Sequence, residues 1–139
     1  MHGGGYTYGT LDEFEVPVRL IAERAGISTD AVGYRLAPES KYPTRNLLRD
    51  GDDARDPCIT PMNAPSHTGL PPAILVTNGF DPLRDVGHAY ARKLAAAVNE
   101  LTYIHHPDLI PGFPQFSRSS KAAHRATLEV ADRIGAAIG

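Results

Sequence analysis

A single cysteine, Cys58, is all the thiol chemistry the chain offers. It excludes an internal disulfide framework and a four-cysteine zinc site. No apolar run approaches the ~18 residues that a membrane-spanning helix needs. The start, Met1-His2-Gly3-Gly4-Gly5, has no basic stretch followed by an apolar one, so no secretory signal is expected and the cytoplasm is the expected location. Positive charge is not in surplus either, since the formal net charge is −2. Arg19, Arg24, Arg35, Arg45 and Arg49 are scattered as ordinary solvated surface, which argues against a nucleic-acid partner or an anionic membrane. With 139 residues there is room for one domain, fewer than the ~200–250 that many α/β enzymes use.

Chain punctuation, by contrast, is abundant: twelve prolines and thirteen glycines give connections a large share of the chain. Phe14, Val18 and Ile21 recur at helical spacing and predict a helix over Leu11–Ala25. Asp12, Glu13 and Glu15 suit the positive end of its dipole, and Gly26 ends it. Residues 31–36 read as a short strand, with Val32 and Tyr34 on one face. Between Tyr42 and Gly69, prolines and Asp50, Asp52, Asp53 and Asp56 break every pattern, and no element of ordinary length fits.

Order returns with Ala73-Ile74-Leu75-Val76-Thr77, an apolar run closed by Asn78-Gly79, as in a strand buried on both faces. A helix over Leu83–Ala97 follows, with Val86, Tyr90 and Leu94 on its apolar face, then a strand over Leu101–His105. A last helix over Ser119–Ile138 carries Ala123, Leu128, Ala131 and Ile134. Strand, helix, strand, helix implies a parallel pair joined by a crossover, and so an α/β class. The expected organisation is one partial domain over 1–139, divided into 1–43, an irregular junction at 44–69, and 70–139. Ile74, Val76, Tyr90, Leu94, Leu128 and Ile134 are the expected core.

Three segments carry chemistry. In His2-Gly3-Gly4-Gly5 the absence of Cβ atoms lets backbone N–H groups converge on one point, where a tetrahedral oxyanion can be held. A glycine-rich start is also what a flexible terminus looks like. Tyr34-Arg35-Leu36-Ala37-Pro38-Glu39 is, by itself, a strand end and a turn. Phe80-Asp81-Pro82-Leu83-Arg84-Asp85 follows the buried strand. There Asp81 reads either as a carboxylate at the ligand-binding end of a parallel sheet or as the cap of the next helix.

In wording and order these segments, with the intervening Leu70-Pro71-Pro72-Ala73, resemble the hormone-sensitive-lipase-like branch of the α/β-hydrolase esterases, over residues 2–43 and about 56–139. The resemblance implies an α/β-hydrolase fold, here incomplete, with parallel strands and flanking helices. It implies ester hydrolysis by serine acyl transfer on small acyl esters, with no metal or organic cofactor. By the same resemblance Gly4 and Gly5, supported by Gly3, form the oxyanion hole, and Asp81 is the acid that orients the catalytic histidine. Residues 31–36 correspond to strand four of the parent sheet, 73–78 to strand seven and 101–105 to strand eight. Strands seven and eight are neighbours, so the second half should keep its core. The first helix and the strand at 31–36 should lack their partners, and an unpaired strand edge invites self-association.

The chain departs from that family at two essential points. None of Ser28, Ser40, Ser66, Ser117, Ser119 and Ser120 has glycines two residues away on both sides, so the G-x-S-x-G elbow is absent. Where the family has His-Gly-Phe before the last helix, the chain has Pro111-Gly112-Phe113, and proline cannot act as a base. Substitutes are poor. His105 and His106 are adjacent on a strand, which turns them to opposite faces and also prevents their sharing a metal with Asp108. Cys58 with His67 or His106 would make a cysteine–histidine pair, but a lone cysteine among prolines is far more often inert. His88 and His124 read as helix-surface residues. The expectation is a chain from an ester-hydrolysing lineage that is itself impaired; the alternative is a non-catalytic remnant or interaction module.

Overall fold

The structure is a computed structural model, and it describes residues 9–31, 57 and 60–139. The chain divides into two compact units, one of residues 1–14 and 30–65, the other of 15–29 and 66–139. Of the first unit, the described parts are the start of helix α1 (Leu11–Ala25) and a short 3-10 turn at Pro61–Asn63. The start of α1 is a reciprocal cap: Thr10 N donates to Glu13 Oε2 at 3.0 Å, and Glu13 N donates to Thr10 Oγ1 at 3.4 Å. This T-x-x-E box satisfies two N–H groups that a helix start leaves over. The strand expected at 31–36, the glycines of the first motif and Cys58 lie outside the described residues, apart from Ala31.

The second unit is built on a β-α-β unit. Strand β1 (Ala73–Asn78) leads through helix α2 (Arg84–Ala96) to strand β2 (Leu101–His106), and helix α3 (Lys121–Ile138) closes the chain. The strands are parallel and in register from Ala73↔Leu101 to Asn78↔His106. Side chains alternate across a strand. Leu75, Thr77, Tyr103 and His105 therefore share one face, and Ile74, Val76, Asn78, Ile104 and His106 share the other.

Helix α2 covers the first face through Gly87, Ala91 and Leu94; of the expected Val86, Tyr90 and Leu94, only Leu94 is buried there. A Cβ on Gly87 would fall 2.8 Å from the Thr77 methyl, so only glycine allows this approach. Ala91 and Leu94 are buried, whereas Val86 is 56% exposed. The face is shifted because close approach, rather than side-chain bulk, sets which residues meet the sheet. Helix α3 and a 3-10 turn at Phe113–Phe116 cover the second face. Phe113, Ala123 and Ala126 form the core there, with Val76, Leu109 and Val130 packed around them. Of the six expected core residues only Leu94 is fully buried. Ile74, Val76, Tyr90, Leu128 and Ile134 are half-buried. Small residues on α3 bring its backbone close to the sheet, which leaves the bulkier chains at the margins.

The expectation that the first helix lacks a partner is overturned. Arg24 holds Asp132 of α3 through two hydrogen bonds, at 2.6 and 3.1 Å. A Cβ on Gly135 would lie 3.1 Å from the Ala25 carbonyl oxygen, so the two helices touch backbone to backbone. The end of α1 follows the sequence reading: Gly26 has φ +71° and Ile27 N donates to Ala22 O at 3.1 Å, the hydrogen bond of a Schellman cap. At the far end of α2, Asn99 fastens the incoming loop, accepting from Leu70 N at 3.0 Å and donating to Leu94 O at 3.1 Å.

Candidate active site

The loops that carry Asp81 and Pro111 run side by side at the carboxyl end of the sheet. Gly79 N donates to His106 O at 2.8 Å and Phe80 N to Leu109 O at 3.2 Å, so the loop after β1 runs beside the loop after β2. A Cβ on Gly79 would fall on the backbone carbonyl of Pro107, so the two loops can meet this closely only at glycine. Asp81 is half-buried, and its Oδ1 accepts from Leu83 N at 2.8 Å while its carbonyl accepts from Arg84 N at 3.0 Å. That is an Asx turn just before α2, whose N-cap is Leu83 without a side-chain capping bond, so Asp81 shapes the turn and does not cap the helix. Pro111 is exposed and offers neither a side-chain nor a backbone donor. Around them stand Phe80 at 68%, Leu83 at 68% and Ile110 at 47% exposure, an apolar rim open to solvent. Just inside α2 the Arg84 guanidinium hydrogen-bonds Asp85 at 2.8 Å and holds its carboxyl below the usual carboxylate range.

His105 and His106 face opposite sides, as the alternation requires. His106 is half-buried, with its ring edge-on to Phe113 at 5.3 Å. Its Nε2 and Asn78 Oδ1 are buried and meet no hydrogen-bond partner among the described residues. His105 joins a chain of hydrogen bonds that the sequence reading missed: His105 Nδ1 to Thr77 Oγ1 at 3.0 Å, Thr77 Oγ1 to Tyr103 OH at 2.7 Å, and Tyr103 OH to His88 Nδ1 at 3.3 Å. The only sequence signal for it is the alternation that puts Tyr103 and His105 on one face. Linking them to Thr77 requires the strand register.

Apart from Ser28, the described serines are engaged locally. Ser117 Oγ donates to Pro114 O at 2.6 Å, Ser119 Oγ donates to Phe116 O at 3.3 Å, and Ser120 Oγ caps α3 by accepting from Ala123 N at 3.3 Å. Ser66 Oγ lies 2.8 Å from Thr68 Oγ1. Among the described residues no serine is hydrogen-bonded to an imidazole, and no group of three or more His, Cys, Asp or Glu residues is placed to hold a metal ion. No helix among them is long and apolar enough to cross a membrane.

A parallel β-α-β unit with helices on both faces of its strands defines an α/β protein. A model of the α/β hydrolase fold family matches residues 1–46 and 44–115. The chain belongs to this family, within its hormone-sensitive-lipase-like branch of esterases. It is 53% identical over 51 residues to the carboxylic ester hydrolase LipN of Mycobacterium tuberculosis, covering 36% of this chain and 14% of that protein. Over 56 residues it is 45% identical to the ethyl acetate hydrolase of Pseudomonas putida, covering 40% and 16% of the two chains. Over 69 residues it is 39% identical to the carboxylesterase NlhH of M. tuberculosis, covering 50% and 21%. The chain thus spans only a small part of the curated relatives it matches. Among solved structures it resembles a Pyrobaculum calidifontis esterase, with a TM-score of 0.78 at 19% identity over 97% of this chain and 74% of that one, a likeness in fold alone. An ester hydrolase from the Lake Arreo metagenome gives a TM-score of 0.59 at 29% identity over 85% of this chain and 45% of that one.

Proposed function

We propose that the reaction of this lineage is hydrolysis of small carboxylic esters by serine acyl transfer, and that this chain retains the acid and the apolar rim of that site without its nucleophile or base. The observation that supports this reading is the pairing of the two loops at Phe80 and Leu109, the loops that carry Asp81 and, at the family's histidine position by resemblance, Pro111. In this reading Gly3, Gly4 and Gly5 form the oxyanion hole and Asp81 is the triad acid. The exposed Phe80, Leu83 and Ile110 are what a short acyl group would meet. Without a nucleophile an acyl-enzyme cannot form, and a carboxylate that orients no histidine contributes little. As it stands the chain is therefore a non-catalytic member of an esterase family. Strand edges that have lost their family neighbours would give it a route to self-association, which sedimentation would detect.

The test is hydrolysis of p-nitrophenyl acetate and butyrate by the purified chain. The expected result is a rate equal to that of its own Asp81→Asn variant. Turnover that survives purification and disappears in Cys58→Ala or His106→Gln would overturn the proposal. A companion test is Pro111→His, for which no acyl-enzyme burst is expected. A burst would place a serine, Ser66 first, within reach of residue 111.

A further inference from the structure

Helix α1, the segment leading into α3 and the first turn of α3 line an open cleft of about 520 Å³. One wall is an apolar stripe on α1, Val16 and Leu20, one turn apart. Beside them stand Arg19, which pairs with Glu15 at 2.9 Å, and Glu23. The opposite side presents Arg118 and His124. Neither side chain makes a hydrogen bond or ion pair with another described residue, although an arginine is ordinarily placed to use its donors. The backbone before Arg118 is fixed, because the buried Ser117 hydroxyl donates to Pro114 O and lies 3.0 Å from Thr127 Oγ1. Arg118 therefore leaves a fixed point beside the cleft.

We infer that this cleft binds a medium-chain carboxylate, with its head on Arg118 and His124 and its tail along Val16 and Leu20. The planar guanidinium fork matches a carboxylate in two parallel hydrogen bonds, and an imidazole N–H adds a third donor. The apolar stripe offers nothing to a free phosphate, and Glu23 opposes a ligand of higher negative charge. A neutral alkyl chain would leave Arg118 and His124 unused. The site does not depend on ester hydrolysis and needs none of the residues at the strand ends.

The experiment is a chemical-shift titration of the full chain, labelled with nitrogen-15, using sodium octanoate, octanol and sodium acetate as probes. Octanoate should move the amides of Val16, Leu20, Arg118 and His124 saturably, with a dissociation constant on the order of a millimolar, as befits a small ligand on an open surface. Octanol, which lacks the charge, and acetate, which lacks the tail, should each bind at least about fivefold more weakly. Arg118→Gln and Val16→Asn, both at exposed positions, should each weaken octanoate severalfold, while Arg125→Gln, a charge loss elsewhere on α3, should not. Octanol or acetate binding as well as octanoate would overturn the inference. So would equal effects of Arg118→Gln and Arg125→Gln, which would indicate attraction to net charge alone.

Discussion

The two faces of the β1–β2 pair are held by different chemistry. Toward α3 the contacts are mainly apolar, Phe113, Ala123 and Ala126 closing on Val76, with Asn78 Oδ1 and His106 Nε2 the buried polar atoms of that face. Toward α2 a row of hydroxyls and imidazoles, from His105 through Thr77 and Tyr103 to His88, lies on the same kind of backbone. Burial of apolar area contributes with every atom removed from water, whereas a hydrogen bond within the protein replaces one to water and gains little net. The α3 face should therefore carry most of the stability, and the α2 face should decide how the strands and α2 are aligned.

The comparison is tested most severely by Phe113→Ala. Phe113 is 5% exposed, and its removal leaves a cavity between α3 and the sheet. The expected cost is about 3–5 kcal/mol in urea unfolding. The matching change on the other face is Tyr103→Phe, which removes one hydroxyl and leaves Thr77 its contact with His105. It should cost about 1 kcal/mol. Equal losses from the two variants would erase the distinction between the faces.

A smaller change should strengthen the α2 side. Val98, just past the end of α2, has φ +59° and is 92% exposed. A left-handed conformation costs a branched residue about 1–2 kcal/mol, and glycine loses about 0.5–1 kcal/mol more than alanine through its unfolded freedom. Val98→Gly should thus gain up to about 1 kcal/mol. A loss of stability would mean that the valine side chain has a packing role that its exposure conceals.

How far this arrangement could be read from the sequence depended on the kind of signal. The bounds of α1 were legible because the apolar spacing and Gly26 agree, and β1 was legible because its apolar run stops at Asn78-Gly79. The T-x-x-E box at Thr10–Glu13 was available and was read only as acidic residues near a helix start. The buried face of α2 was misread because hydrophobicity favours Val86 and Tyr90, while the structure uses the smallness of Gly87 and Ala91. The docking of α1 on α3 was missed because Gly135 signals close approach only once its neighbour is known. For the site, Asp81 was legible as a motif residue, and both its position after the strand and its turn-forming bond to Leu83 N follow from one local sequence. The hydrogen-bonded chain on the α2 face was not legible, since its members lie on three elements and meet only in the observed register.

The smallest expected effect concerns the tie between α1 and α3, which extends the apolar side by one more helix. Arg24 and Asp132 are about half exposed, at 53% and 51%, so the pair acts through water and is screened by salt. The hydrogen bond from Arg24 holds the Asp132 carboxyl below the usual carboxylate range, with partial burial opposing it and the charge attraction assisting. Arg24 itself is raised from an already high value and stays charged at any pH of interest. Only Asp132 therefore couples the pair to pH. Because its folded value lies below the ~3.9 of a free aspartate, its contribution is present in full above that pH and is lost as the pH falls through the folded value. Asp132→Asn should accordingly lower the unfolding midpoint slightly at pH 7 in low salt. The difference from the parent chain should narrow below about pH 4, and also at pH 7 when salt is raised toward 1 M. A gap that stayed constant from pH 3 to 7 would show that residue 132 acts through packing against α1 rather than through its charge, and the bond between the two helices would then be as apolar as the face behind it.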